Sequence, residues 1–356
     1  MLLRAAATFG STPMIVVRSV QPHDLDALFH LAGQTGEGMT SFKPDRPALT
    51  ARIERVRRTI SGEAPLADQG YLFVMEDTAS GRVVGVCGLE VAVGMTQPFY
   101  NYRVGTVVHA SREMNVWTRM SLLYMSHDLT GYAELCSLFL EPAARINGNG
   151  ALLSKSRFMF LAQFPDRFGE RICAEMRGHF NEAGESPFWR DVGSHFYQIG
   201  FDDADYLSAH GKKSFMAELM PRSPVYVDLL PQDVQEAIGK THKDTEPARV
   251  LLEAEGLRFE NHVDIFDAGP VLEAHIDNLR AVRESRLVSV VVDDAAASEG
   301  EKWLASGTDM ADFRVILLPR PPQDNTLRLT PAEAGALNIT TGQHVRVLPL
   351  YPTKRT

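Results

Sequence analysis

The sequence is poor in cysteine, has no long apolar run and carries no excess of positive charge, and each shortage removes a class of protein. Only Cys87, Cys136 and Cys173 occur in 356 residues, each inside an apolar, strand-like stretch. No pair has metal-ligand spacing, and an odd count does not suit a disulfide framework. They read as buried, reduced thiols, with no metal expected. No apolar stretch approaches the roughly 20 residues that span a bilayer, so no membrane partner is expected. Residues 1–13 lack the apolar core and cleavage pattern of a signal peptide and read as an N-terminal extension, which gives a cytoplasmic expectation. Lys plus Arg number 36 against 45 Asp plus Glu, a net charge of −9. A nucleic-acid partner would call for a basic patch instead.

What remains is an ordinary soluble composition, 44% hydrophobic and 23% charged, in a chain long enough for two domains or one elaborated core. Ile15–Arg18 reads as a strand and Asp24 as the cap of a helix through Ala32, followed by a turn at Gly36-Glu37-Gly38. Apolar Leu49, Ile53, Val56 and Ile60 fall at helical spacing within 47–61. Strands follow at 71–76 and 83–93, joined by a tight turn, and at 100–108. The run Glu134-Leu135-Cys136-Ser137-Leu138-Phe139-Leu140 reads as a buried strand closed by Pro142. A long helix covers 148–163, a strand 172–177, and a helix 187–195. Further segments lie at 215–220 and 225–230, with helices at 232–238 and 246–255 and a strand at 257–266. Beyond Ala268 the pattern predicts a helix to about Arg286. The polar stretch 294–312 reads as a mobile connector, and strands at 315–318, 327–329 and 345–347 form a small β-rich end. A helix ending in Gly200-Phe201 is echoed by one ending in Gly256-Leu257, a hint of two related halves.

The strongest local signal is Arg145-Ile146-Asn147-Gly148-Asn149-Gly150 between that buried strand and the long helix. The first turn of a helix has amides without intrahelical partners, and its dipole favours an anion. Glycine lets the backbone approach a pyrophosphate without a Cβ in the way. Each charge gains about 0.3–1 kcal/mol from the dipole, so amide hydrogen bonds and Arg145 must supply the rest. No Lys-Ser/Thr follows the second glycine, which argues against a nucleotide-hydrolase loop. The first position is Arg rather than Gly, so the dinucleotide fingerprint fails too. Taken alone, the pattern also fits a plain strand-to-helix turn.

Arg-x-x-Gly-x-Gly in this setting resembles the coenzyme A signature of the GNAT acyltransferases, and Ser194-His195-Phe196-Tyr197-Gln198-Ile199-Gly200-Phe201 is similar to that superfamily's later helix–Tyr–Gly-Phe segment. From Met14 onward the chain resembles the arginine N-succinyltransferase family. The stretches that carry this are Tyr100-Asn101-Tyr102-Arg103-Val104-Gly105, Glu134 to Leu140, Ala174-Glu175-Met176-Arg177-Gly178, Ser186-Pro187-Phe188-Trp189, Ala217-Glu218-Leu219-Met220-Pro221 and Asp264-Ile265-Phe266-Asp267-Ala268-Gly269-Pro270.

The resemblance implies an α/β (α+β) fold with a GNAT-like mixed central sheet, flanking helices, two related halves (14–210 and 211–290) and a small C-terminal β-rich subdomain (313–356). It implies succinyl transfer from succinyl-CoA, as co-substrate, to the α-amine of L-arginine in arginine catabolism. Leu138 and Leu140 would offer backbone contacts to the acyl-CoA, beside Arg145, Gly148 and Gly150 at its phosphates. His242 would be the proton donor, a residue type able to give or take a proton near neutrality. Tyr197 is a second candidate acid and Glu134 a candidate base; the bland alternative for each is core packing or a strand-end carboxylate. A succinyl carboxylate calls for Arg or Lys and a guanidinium for carboxylates. Arg103, Arg177, Glu175, Asp264 and Asp267 suit those roles without an assignment, and Glu113, His127 and Asp128 have none. The same fold with ornithine or acetyl-CoA, or a non-catalytic CoA-binding partner subunit, stays open. Partners would be small molecules, with a homo-oligomer or a hetero-oligomer with a similar subunit.

Overall fold

The computed structural model describes residues 14–35, 39, 41–201, 203–204, 207, 218–221, 223–294 and 300–352. The N-terminal extension, the turn at 36–38, the boundary at 210–211 and the first half of the segment 215–220 lie outside the described residues. In chain order the first part comprises β1 (Ile15–Ser19), α1 (Leu25–Ala32), α2 (Arg46–Ile60), β2 (Gly70–Asp77), β3 (Arg82–Glu90), β4 (Asn101–Ser111), β5 (Val116–Ser126), β6 (Ala133–Leu140), α3 (Asn149–Gln163) and β7 (Arg171–Glu175). Then come α4 (Ser194–Tyr197), β8 (Val225–Tyr226), α5 (Gln232–Ala237), α6 (Glu246–Glu255), β9 (Arg258–Asp264), β10 (Pro270–His275) and α7 (Arg280–Glu284). The C-terminal part holds β11 (Arg286–Val292), β12 (Trp303–Ser306), β13 (Arg314–Leu318), β14 (Thr326–Leu329), α8 (Pro331–Leu337) and β15 (His344–Pro349).

The strands form one mixed sheet in the order β14-β11-β15-β12-β13-β1-β2-β3-β6-β7-β10-β9-β4-β5-β8. Helices flank it, so the chain has the mixed central sheet that the α/β expectation asked for. Two pairs are parallel, β6 with β7 and β11 with β14; the other paired strands are antiparallel. Pleating sorts β2 cleanly. Tyr71, Phe73 and Met75 face α3, whereas Leu72 and Val74 face α1 and α2. Both faces are covered, which is why β2 reads as a continuous apolar run rather than an alternating one. Phe160 of α3 packs its ring 4.5 Å from Tyr71, 5.1 Å from Phe73 and 5.0 Å from Phe313. Full burial of such a ring contributes about 1.5–3 kcal/mol.

Residues 286–349 continue the sheet through β13, which pairs with β1 at Val16↔Ile316. A buried ion cluster ties this end to α3. Lys155 Nζ donates to Glu255 Oε1 (2.8 Å) and to the Leu350 carbonyl (2.7 Å), and Arg280 reaches both Glu255 Oε1 (2.7 Å) and the Pro349 carbonyl (3.0 Å). Removing one member would leave an uncompensated buried charge, so the cluster fixes how these segments meet.

Several sequence expectations are overturned. The stretch after Ala268 is not one helix: β10 lies in the middle of the sheet, paired with β7 on one side and β9 on the other. Pro270 to Ala274 are all buried, so no period-two alternation marks the strand. The hairpin partner β5 went unread because much of it is exposed on both faces. The 294–312 connector contains β12, whose Trp303–Ser306 pair with both β13 and β15, and β11 precedes it. Asp24 does stand at the start of α1, but its carboxylate takes Arg18 in a bidentate pair at 2.8 and 2.9 Å and the Gln21 amide at 2.7 Å. The three cysteines are free and buried. Among the described residues no helix is long and apolar enough to cross a membrane.

Candidate active site

β6 and β7 run side by side for two rungs, Ala133↔Ile172 and Glu134↔Cys173, and then separate. Past Glu134 the β7-facing edge of β6 therefore has no ladder partner among the described residues. Its other edge stays on β3 through a bulge: Val86 opposes Phe139 and Gly88 opposes Cys136, so Ser137 and Leu138 share Cys87. Ser137 takes a left-handed conformation (φ 53°), unusual for a residue with a side chain, and is held by Arg52 Nη1, which donates to its Oγ at 2.9 Å. Unpaired backbone groups in a sheet are a template for an extended ligand.

The wedge opens a cavity of about 690 Å³. One wall is β6, including Glu134, Leu138 and Leu140. The other is the end of β7 and the end of β9 with the turn after it, including Glu175, Arg177, Asp264 and Asp267. At the end of β6, Arg145 Nε donates to the Leu140 carbonyl at 3.1 Å, and the chain turns through left-handed Asn147 (φ 55°) and Gly148 (φ 94°) into α3. The amides of Gly150 and Ala151 fall in the helix's first turn, where no intrahelical acceptor exists. A Cβ built on Gly150 would meet no atom within 4 Å, whereas one on Gly148 would face Leu317, Leu350 and Lys302 at 3.4 to 3.7 Å. Gly150 thus opens onto the cavity and Gly148 turns toward the C-terminal strands. Lys302 itself donates to the Asn147 carbonyl at 2.8 Å.

Arg157 of α3 also reaches the cavity, although it is only 2% exposed. Its hydrogen bonds go to the Ser154 carbonyl and Oγ and, at 3.5 Å, to the Cys136 carbonyl in the bulge. Burial lowers its affinity for its proton. No carboxylate among the described residues pairs with it, an arrangement that is costly unless an anion arrives.

Of the eight residues given a role from sequence, five line the cavity together, Glu134, Leu138, Leu140, Arg145 and Gly150, beside Glu175, Arg177, Asp264 and Asp267, which were named without one. Gly148, Tyr197 and His242 do not line it. Tyr197 is 4% exposed and stacks on Trp189 at 5.3 Å. Burial pushes its phenol well above the usual range, so it would donate a hydrogen bond rather than ionise. His242 lies in the loop before α6, two residues before Asp244, which does line the cavity. Its backbone N–H donates to the Arg177 carbonyl (2.8 Å), and its ring packs against Phe180. Its Nδ1 accepts from the Asp244 amide at 3.1 Å. An amide always donates, so the neutral ring carries its hydrogen on Nε2. Burial, then the Arg177 charge, lowers its pKa, and Asp244 partly opposes this.

Asp267 accepts from the Gly178 and Gly269 amides at 2.7 and 2.8 Å and clamps β7 to the turn after β9. Its pKa is raised, first by burial and then by the charge of Asp264, against the pull of those amides. Sequence reasoning missed Arg157 and the cavity position of Asp244 and Thr245. One signal was available: Lys155 and Arg157 stand in the middle of a helix whose flanking turns are apolar, and both prove buried.

Comparisons with known proteins agree along nearly all of the chain. A family model described as "Arginine N-succinyltransferase beta subunit" matches residues 15–281, and one described as that subunit's C-terminal domain matches 286–349. Curated proteins named "Arginine N-succinyltransferase" from Citrobacter koseri and Salmonella typhi are each 48% identical over 343 residues, 96% of this chain and 100% of theirs. The solved structure of arginine/ornithine succinyltransferase subunit AI from Pseudomonas aeruginosa matches with a TM-score of 0.87 at 31% identity, covering 96% of this chain and 100% of that one.

Proposed function

The chain belongs to the arginine N-succinyltransferase family, and from that membership and the wedge between β6 and β7 we propose that it moves the succinyl group of succinyl-CoA onto the α-amine of L-arginine. The observation that carries this reading is the parallel pair that parts after two rungs, beside a Gly turn that opens a helix. An extended pantetheine arm suits the unpaired edge at Leu138 and Leu140, and a diphosphate suits Arg145 and the amides around Gly150.

The amine nitrogen attacks the thioester carbonyl, forming the C–N bond. The tetrahedral intermediate then collapses with cleavage of C–S, and the amine gives up a proton while the departing sulfur gains one. Glu134, half-buried at the last shared rung, is suited to take the amine's proton directly or through water. His242 is suited to donate through Nε2–H to the oxyanion or the sulfur, whereas Tyr197, outside the cavity lining, is suited to packing on Trp189 rather than to contact with the sulfur. Gly148 supplies the left-handed turn rather than a ligand contact.

The test is direct. Succinyl-CoA and arginine are mixed with the protein, and free thiol and the succinylated product are followed by colour reaction and mass. Thiol release with product heavier by one succinyl group is expected. No release above background, with ornithine failing as well, would sink the assignment. A matrix of succinyl-CoA and acetyl-CoA against arginine and ornithine then ranks donor and acceptor.

A further inference from the structure

We propose that Arg177 binds the carboxylate of the amino-acid acceptor and thereby makes the enzyme choose an α-amino acid over a bare amine. The inference rests on the acyl-transfer reading above and adds the acceptor's anchor to it.

Arg177 lines the cavity. Its Nε is buried and meets no hydrogen-bond partner, and among the described residues no carboxylate forms an ion pair with its guanidinium. Phe180 packs against one face of that guanidinium, with 4.7 Å from Cζ to the ring centroid. A guanidinium covered on its face still presents N–H groups along its edge, the geometry that takes a carboxylate in two parallel hydrogen bonds.

Its position relative to His242 is fixed by the main chain. The His242 amide donates to the Arg177 carbonyl, and Gly178 bridges to Thr241. In an amino acid the attacking nitrogen and the carboxylate share one carbon. A cation held beside the proton-handling residue would therefore meet the acceptor's carboxylate when its amine is in place.

The surroundings favour the acceptor over the donor as the source of that carboxylate. Glu175 and Asp264 stand on the same wall, and Asp267 beside them holds its proton more tightly and so adds less charge. One uncommitted cation among carboxylates complements a ligand with one carboxylate and cationic nitrogen groups, which describes a basic amino acid. A succinyl tail brings a negative charge and no cation, and it would meet those carboxylates unfavourably. Arg157, beneath the β6 bulge and without a carboxylate partner, suits that tail better.

Arg177→Met separates the two sources. Rates are measured with arginine and with agmatine, which keeps the amine and guanidinium but lacks the carboxylate, and with succinyl-CoA and butyryl-CoA, which lacks the donor's carboxylate. We expect the KM for arginine to rise by about 10–100-fold, the loss of a charge-assisted pair. Any change transmitted through His242, whose pKa the Arg177 charge lowers, should fall on arginine and agmatine alike, so the preference for arginine over agmatine still collapses, and Arg177→Lys should restore part of it. Equal losses for arginine and agmatine would overturn the proposal. So would an intact arginine preference with a collapsed preference for succinyl-CoA over butyryl-CoA, which would assign Arg177 to the donor. CoA affinity by calorimetry checks that the variant is folded; if Arg177→Met fails that check, the same ratios are read in Arg177→Lys, where an unchanged preference overturns the proposal. Should the wild-type protein acylate no amine, the acyl-transfer reading has failed by itself, and calorimetry of arginine against agmatine on the CoA-loaded protein still decides the role of Arg177.

Discussion

At the α3 end of the cavity the groups available to a ligand are main-chain amides and carbonyls of nearly consecutive residues, from Leu138 through Gly150, with Arg145 as an added charge. At the other end they are side chains drawn from far apart: Arg177 after β7, Asp264 at the end of β9 and Asp267 in the turn after it, and Asp244 and Thr245 in the loop before α6, with His242 just behind them. The difference matters chemically. Backbone donors cannot be changed by substitution without moving the chain, so the first end can be altered only through shape. Side chains can be exchanged one by one, so the second end can be tuned for acceptor and proton transfer without disturbing donor binding.

If that division holds, the largest effect should come from the side-chain end. His242→Ala is expected to lower kcat by about 10²–10⁴, the usual span for a lost proton-transfer group. CoA affinity should stay within about twofold. Steady-state rates and calorimetry check both, and an unchanged kcat would remove His242 from the mechanism. Next comes the backbone end. Gly150→Val places its side chain in open space, so the melting temperature should barely move while CoA affinity falls by about 100-fold. Gly148→Val should do the reverse in emphasis. Its backbone sits at φ 94°, a conformation that costs a residue with a side chain about 1–2 kcal/mol, so stability drops first. Equal behaviour of the two variants would break the distinction between a ligand-facing and a conformational glycine.

The two ends also differed in how far they could be read from the sequence. The α3 end was legible because its parts are neighbours: a buried strand, Pro142, a Gly turn and a helix lie within 134–163, and local rules suffice. The other end is assembled by topology. Arg177, Asp267 and His242 meet because β7 pairs with β10 and β10 with β9. β10 was the strand mistaken for helix. Burial on both faces erased its period-two pattern, and the polar side chain inside it, Glu273, is buried against His262 Nδ1 at 2.6 Å rather than marking a solvent face. His242 was reachable only through a family resemblance, since nothing in its neighbours distinguishes it from a loop histidine.

A smaller effect should separate the ends by pH. The Asp267 carboxyl has its folded pKa raised above the unfolded value of about 4. The unfolded chain therefore releases this proton first as pH rises. The stabilising contribution is complete below about pH 4 and is lost as pH climbs toward the folded value. A single proton sets the ceiling on this slope at about 1.4 kcal/mol per pH unit. Melting temperatures from pH 5 to 8 should fall more in the wild-type protein than in Asp267→Asn. The variant should also start lower, because an amide presents one acceptor oxygen to two backbone N–H groups. Parallel curves would show that the slope comes from elsewhere.

The smallest effect concerns what holds the backbone end in shape. Two successive left-handed residues, Asn147 and Gly148, form its turn, and the C-terminal strands brace it: Lys302 Nζ donates to the Asn147 carbonyl, and Leu317 and Leu350 lie under Gly148. Lys302 is exposed, so its bond contributes little, on the order of 1 kcal/mol. Lys302→Met should then weaken CoA by about 3–10-fold while leaving kcat at saturation unchanged. Part of that loss is charge, because an ammonium beside the turn also attracts phosphate, and charge is screened by salt. The gap between wild type and variant should therefore narrow as ionic strength rises, though the bond to Asn147 keeps it from closing. A gap independent of salt would leave bracing as the whole role of Lys302, and no gap at low salt would show that the turn holds its shape without the C-terminal strands' lysine.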